Sequence, residues 1–166
     1  MLKTIARLRV PLGFLFAAIV LWLADPTDRT LPAGAVIALI GEGVRIWAAG
    51  HLEKGREVTA SGPYALTRHP LYLGSSLIAL GLAIAAASIG AAVIVLGYMA
   101  LTLTAAIRTE EAHLTEKFGA AYPDYRAGRT SVKRRFSLER AMRNREYRAA
   151  TGVLVVLALL AWKAST

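Results

Sequence analysis

Five apolar stretches separated by charge restrict this chain to helices that cross or lie in a bilayer: Val10 to Ala24, Leu31 to Gly50, Leu71 to Ser88, Ala91 to Ile107 and Ala149 to Trp162. Hydrocarbon offers no partners to backbone N–H and C=O groups, so a spanning segment must satisfy them internally, as a helix does. At about twenty residues per span, a chain of this length holds a bundle of about five transmembrane helices in one domain over residues 1–166. Apolar residues make up 55% of the chain and charged ones 19%, which sets it apart from ordinary soluble domains. The expected fold is therefore an all-α integral membrane bundle.

The first run follows Lys3, Arg7 and Arg9 and stops at Asp25-Pro26. A cleavable signal peptide is the rival reading, but no small-residue cleavage site follows it, so we read a short first span. The second run is rich in small residues, among them Gly34, Ala38, Gly41 and Gly43, which permit close helix contact. The third and fourth are separated only by Ile89-Gly90 and must form an antiparallel hairpin. The last, residues 149–162, is short enough either to span or to lie in the interface.

Charge sets the expected orientation. Placing the N-terminus, the 51–70 loop and residues 108–148 in the cytoplasm puts three, three and eleven of the twenty Lys and Arg residues there, seventeen in all. That asymmetry predicts a cytoplasmic N-terminus in a bacterial inner membrane, and an external C-terminus if the last run spans. The net charge of +9 is explained by this topology and by anionic lipid, not by nucleic acid. With no cysteine, the chain has neither disulfides nor thiolate chemistry.

Polar residues cluster at the ends of two apolar runs. The stretch from Ser61 to Gly74 holds a turn signal at Ser61-Gly62-Pro63, then Arg68-His69-Pro70 before the third run. Pro70 biases His69 away from helix, so a helix starts at or just after Pro70, with its free amides aimed where Arg68 and His69 point. An anionic group suits that place. Singly, each of these Tyr, His and Arg residues is as well explained by anchoring at lipid headgroups. Glu110 and Glu111, next to Arg108, form a second cluster and supply the carboxylates that a cationic ligand needs. Glu110 and His113 make one Glu-x-x-His spacing, where a carboxylate-bridged metal centre takes two and further carboxylates, so no metal is expected. Within the second run, Glu42 and Arg45 lie on one helix face, as a structural ion pair or as part of a site.

Taken in order, Gly62-Pro63-Tyr64, Arg68-His69-Pro70-Leu71-Tyr72-Leu73-Gly74, Arg108-Thr109-Glu110-Glu111, Phe118-Gly119, Tyr122 and Tyr125 resemble the isoprenylcysteine carboxyl methyltransferase family and its phospholipid methyltransferase relatives. Gly41-Glu42-Gly43-Val44-Arg45-Ile46-Trp47 is similar to that family's second helix, so the likeness covers about residues 40–130. It implies a membrane methyltransferase that uses S-adenosylmethionine, releases S-adenosylhomocysteine, binds the cofactor on the cytoplasmic side and takes its acceptor from the bilayer. Carried over by motif, His69, Tyr72, Leu73, Gly74, Glu110 and Glu111 contact the cofactor, with Tyr64 and His51 as weaker candidates. Arg108 and Glu111 are the expected catalytic residues, Arg108 orienting the acceptor or helping to bind the cofactor. The acceptor is a lipophilic carboxylate, amine or thiol, and membrane lipids or a second protomer are the other expected partners. Sterol reductases carry a related Arg-His-Pro segment and bind a nicotinamide cofactor; a non-catalytic scaffold is the third reading. The two glutamates favour the sulfonium cofactor, because a dinucleotide's phosphates prefer Arg and Lys.

Overall fold

The computed structural model describes Leu15, residues 17–130 and residues 134–166. Lys3, Arg7, Arg9, Lys133 and the start of the first apolar run lie outside the described residues, and with them the expected orientation of the N-terminus. Every regular element among the described residues is helical. They are α1 (helical at 17–23), α2 (Thr30–Ala49), a 3-10 turn (Gly62–Ala65), α3 (Pro70–Ala86), α4 (Ile89–Phe118), α5 (Ala121–Arg126), α6 (Leu138–Arg143) and α7 (Tyr147–Ala164). Three of them, α2, α4 and α7, are long and apolar enough to cross a membrane, and α3 is a shorter apolar helix.

The centre of the fold is the antiparallel α2–α3 pair, joined through glycine. Gly34 rests on Gly81 and Ala85, while Gly41 rests on Gly74 and Ile78. A Cβ on Gly41 would lie 2.7 Å from the Gly74 carbonyl oxygen, and one on Gly74 would lie 2.6 Å from Arg45 Cγ. No side chain fits between these backbones. Lipid tails are as apolar as leucine, so close packing of small residues substitutes for a hydrophobic drive between helices.

At the far end of the bundle, Ala24, Ala85, Ala86, Ala91 and Leu160 form an apolar core. The Asp25 N–H donates to the Ala86 carbonyl at 2.7 Å, and Lys163 Nζ donates to the carbonyls of Leu21 and Trp22 at 2.9 and 2.8 Å. The α3–α4 hairpin is as tight as expected but lies two residues earlier, at Ala87-Ser88. Ala87 takes a left-handed conformation (φ 49°), and the Ser88 hydroxyl caps α4 by accepting from the Ala91 N–H.

Two expected boundaries are corrected. The fourth helix does not stop at Ile107. It runs for 30 residues to Phe118, because nothing from Arg108 onward breaks a helix before Gly119, whose φ is +52°. At 1.5 Å per residue it is about 45 Å long, against a hydrocarbon core of about 30 Å, so its last turns carry Glu110 and Glu111 to the bilayer surface. The final helix is also longer than its apolar run, 18 residues in place of fourteen, because Tyr147 and Arg148 join its first turn and Lys163 its last. By length and composition it is able to cross a membrane.

Candidate functional site

The loop from Gly50 to His69, the outer turns of α4, and α5 and α6 meet at one end of the bundle. His51 is the wedge that begins this site. Its Nδ1 lies 3.0 Å from the Trp47 carbonyl oxygen, and because a carbonyl only accepts, Nδ1 carries the proton. The buried ring fills the space left by Gly62 (φ +59°), where a Cβ would sit 2.6 Å from His51 Cδ2. His51 thus fixes the 3-10 turn against the end of α2, and Tyr64 follows buried in that turn.

Tyr64 is fastened from the other side. The Tyr125 hydroxyl on α5 donates to the Tyr64 carbonyl at 2.6 Å. Burial, and after it the nearby Glu110 carboxylate, pushes the Tyr64 phenol well above its usual range. Burial likewise pushes Tyr125 up to about 12, so both phenols stay neutral and hydrogen-bonding at physiological pH.

Glu111 is the hub of the charged cluster. Arg68 Nη1 lies 3.0 Å and His69 Nε2 3.1 Å from the same oxygen, Oε1. The Tyr122 hydroxyl is buried beside this carboxylate, short of good hydrogen-bond geometry; burial first and Glu111 second raise its pKa. Tyr72, one helical step beyond His69, has its ring 5.7 Å from the imidazole and its phenol against Glu110. The helix does start at Pro70, as the sequence predicts, but Arg68 and His69 do not stand open to an anion. They neutralise Glu111, which leaves exposed Glu110 as the less engaged of the two carboxylates.

The remaining sequence candidates are dispersed. Leu73 is exposed, and Gly74 is buried against α2, away from the charged cluster. Arg108 is exposed on α4 and has no ion-pair partner among the described residues. Glu42 and Arg45 do approach, at 3.9 Å, but Arg45 makes its short contact, 2.6 Å, with Glu146 at the start of α7, a residue that the sequence reading did not single out. Its one visible signal is an acidic residue in a strongly basic stretch just before an apolar run.

Two cavities lie outside the charged cluster, and Arg68, His69, Tyr72, Glu110 and Glu111 line neither of them. A mixed polar and apolar cleft of about 640 Å³ lies between the 60–65 turn and residues of the 125–130 and 134–135 stretches, walled by Tyr64, Ala65, Tyr125, Thr130, Arg134 and Arg135. The Ser61 hydroxyl borders it, buried and without a hydrogen-bond partner. The second cavity, about 390 Å³, is apolar and lies inside the bundle among α1, α2, α3, α4 and α7. Arg45, Ser75 and Tyr98 supply its polar groups, and Ile78, Val95 and Val153 are among its apolar lining.

An ionic belt holds the site end together. Arg140 Nε lies 2.9 Å and Arg143 Nη2 3.3 Å from Glu53 Oε1, and Arg134 pairs with Glu57 at 2.8 Å. Desolvation works to raise the pKa of Glu53, but the Arg140 hydrogen bond and the charges of Arg143 and Arg140 outweigh it and hold the carboxyl below its ordinary value. Asn144 Nδ2 donates to the carbonyls of Ala49 and Leu52, both at 2.9 Å, seating α6 on the end of α2. No group of three or more His, Cys, Asp or Glu residues suited to hold a metal stands together among the described residues.

Fold and site together define a helical membrane protein that carries its polar chemistry at one end of the bundle. The chain belongs to the phospholipid methyltransferase family, whose model matches residues 35–121. That stretch runs from α2 to the first residue of α5 and takes in Arg45, His51, His69 and both glutamates. Over 87 residues the chain is 36% identical to the cobalt-zinc-cadmium resistance protein CzcN of Cupriavidus metallidurans, covering 51% of this chain and 39% of that protein. Over 122 residues it is 33% identical to the nickel-cobalt-cadmium resistance protein NccN of Alcaligenes xylosoxydans xylosoxydans, covering 72% of this chain and 55% of that one. The chain thus spans between two fifths and just over half of these relatives' length. No solved structure matches it significantly.

Proposed function

We propose that the protein is an S-adenosylmethionine-dependent membrane methyltransferase acting on a lipophilic carboxylate, amine or thiol, with its cofactor site facing the cytoplasm. The observation that carries this reading is the cluster in which Arg68 and His69 meet Glu111 while Tyr72 meets Glu110, beside a cleft walled by Tyr64 and Tyr125. Its donor set fits the cofactor. The exposed carboxylate of Glu110 suits an ammonium; Arg68 and His69, which pair with Glu111 in this structure, take a carboxylate by exchanging it for Glu111; and the unpartnered Ser61 hydroxyl offers the cleft a free polar group.

When bound, S-adenosylmethionine supplies an electrophilic methyl on a positively charged sulfur, so no covalent nucleophile is required of the protein. What the residues must do is hold both reactants in line and keep water away. Tyr64 and Tyr122, buried, and the half-buried Tyr125, all neutral, present their rings against water at the site. Arg108 orients the acceptor from the exposed face of α4. A carboxylate acceptor arrives ionised; for an amine or a thiol, a carboxylate oxygen of Glu110 takes the proton. The apolar cavity inside the bundle suits the acceptor's tail.

The test is calorimetric titration of the detergent-purified protein with S-adenosylhomocysteine and, separately, NADPH. Saturable binding of the first alone is the expected result. NADPH binding alone favours the reductase reading, and binding of neither favours a scaffold.

A further inference from the structure

The arginines between α5 and α7 are sorted by partner. Arg134, Arg140 and the exposed Arg143 share the two carboxylates of Glu53 and Glu57. Arg135, Arg145 and Arg148 are exposed and have no acidic partner among the described residues. Large apolar side chains stand exposed among them: Leu138 and Met142, four residues apart on one face of α6, and Tyr147, whose ring lies 6.0 Å under the Arg148 guanidinium. Glu139 is the exposed carboxylate on α6, which leaves the patch net positive. The patch adjoins α7, a helix of membrane-crossing length and composition that begins at Tyr147. Arg145, Tyr147 and Arg148 therefore stand at the start of that candidate span.

We infer that this face is a docking surface for anionic phospholipid headgroups of the leaflet at the site end of the bundle. The three unpaired guanidiniums bind headgroup phosphates, while Leu138 and Met142 dip into the acyl boundary and Tyr147 sits at the interface. Charge complementarity selects this occupant. A basic residue near an anionic leaflet is attracted to it, and exposed leucine and methionine beside it gain from burial among acyl chains. Arg134, Arg140 and Arg143 do not take part, because each already faces a carboxylate.

The experiment is native mass spectrometry of the delipidated full chain offered phosphatidylglycerol or phosphatidylcholine with the same acyl chains. The wild type should retain phosphatidylglycerol preferentially. Arg135→Gln, Arg145→Gln and Arg148→Gln should each cut that preference about fivefold, and the corresponding Arg→Lys variants should largely keep it. Charge-matched single controls, Lys54→Gln, Arg56→Gln and Lys117→Gln, should also keep it. No preference in the wild type overturns the proposal. So does an equal loss in the controls, which would make the effect one of overall charge, and so does displacement by inorganic phosphate at matched concentration, which would make the site one for free anions. If a glutamine variant fails to fold, the lysine variant and the controls against wild type still decide.

Discussion

Arg45 on α2 donates from Nε to Oε1 of Glu146 over 2.6 Å, joining residues 101 positions apart and anchoring the last helix to the second. The same guanidinium donates to the Ser75 hydroxyl on α3, so one side chain ties three helices together a turn below the charged cluster. Glu42 and Glu146 both lie near it, and both are buried.

Two carboxylates around one cation predict an order of damage. Arg45→Met leaves Glu42 and Glu146 facing each other uncompensated and should cost about 3 kcal/mol, the scale for breaking a buried ion pair. Glu146→Gln leaves Arg45 with Glu42 and should cost less. Thermal unfolding in detergent measures both, and an unchanged melting temperature in Glu146→Gln would remove Glu146 as the principal partner.

Glu111→Gln should weaken S-adenosylhomocysteine binding at least tenfold, the loss expected when a charge-assisted contact goes, while the melting temperature stays near that of the wild type. The carboxylate holds Arg68 and His69 through part-exposed contacts at the outer turns of α4, where such pairs contribute little to stability. Unchanged affinity would take Glu111 out of the site.

At the helix contact the opposite pattern is expected. Gly74→Val forces a side chain into Arg45 and the Gly41 carbonyl, and overpacking of this kind costs about 1–3 kcal/mol or more. Yield and melting temperature should fall with it. A stable variant that has lost only ligand binding would mean that Gly74 touches the cofactor rather than α2.

The Tyr125–Tyr64 bond predicts a modest effect. Tyr125→Phe should lose about 1 kcal/mol of stability, the net worth of one hydrogen bond. The folded-state pKa of Tyr125 is raised from 10.0 to about 12, so its contribution is complete below pH 10 and is lost as pH rises toward 12. Unfolding scans between pH 9 and about 12 should show this in the wild type and not in the variant.

Glu53 acts at the other end of the pH range. Its folded-state pKa is lowered below 4.5, so its stabilising effect is present above pH 4.5 and disappears as pH falls through the lowered value. Glu53→Gln should therefore be less stable than wild type at neutral pH and should lose part of the wild type's acid-side decline. A parallel decline in both proteins would place the acid sensitivity elsewhere.

Much of the site could be read from the sequence because its parts are local. Pro70 fixes the start of α3 beside Arg68 and His69 through constraints that act within two residues, and the small residues of α2 announce close packing wherever they point. The length of α4 was misjudged for a related reason. Hydropathy ends at Ile107, but backbone geometry continues until Gly119, and charge does not break a helix. The last helix exceeds its apolar run for the same cause, since its polar flanks extend the helix without extending the hydropathy.

What the sequence determined alone follows from period, charge and composition: an all-helical membrane bundle, a hairpin between α3 and α4, and two polar clusters at the ends of apolar runs. What only tertiary structure decided is which charges meet. Arg68 and His69 reach Glu111 across 43 and 42 residues, Tyr125 reaches Tyr64 across 61, and Arg45 prefers Glu146 to the nearby Glu42. Side-chain partners at such separations depend on how the helices are set against one another, and that is fixed by the fit of glycine against backbone between α2 and α3, which no local pattern encodes.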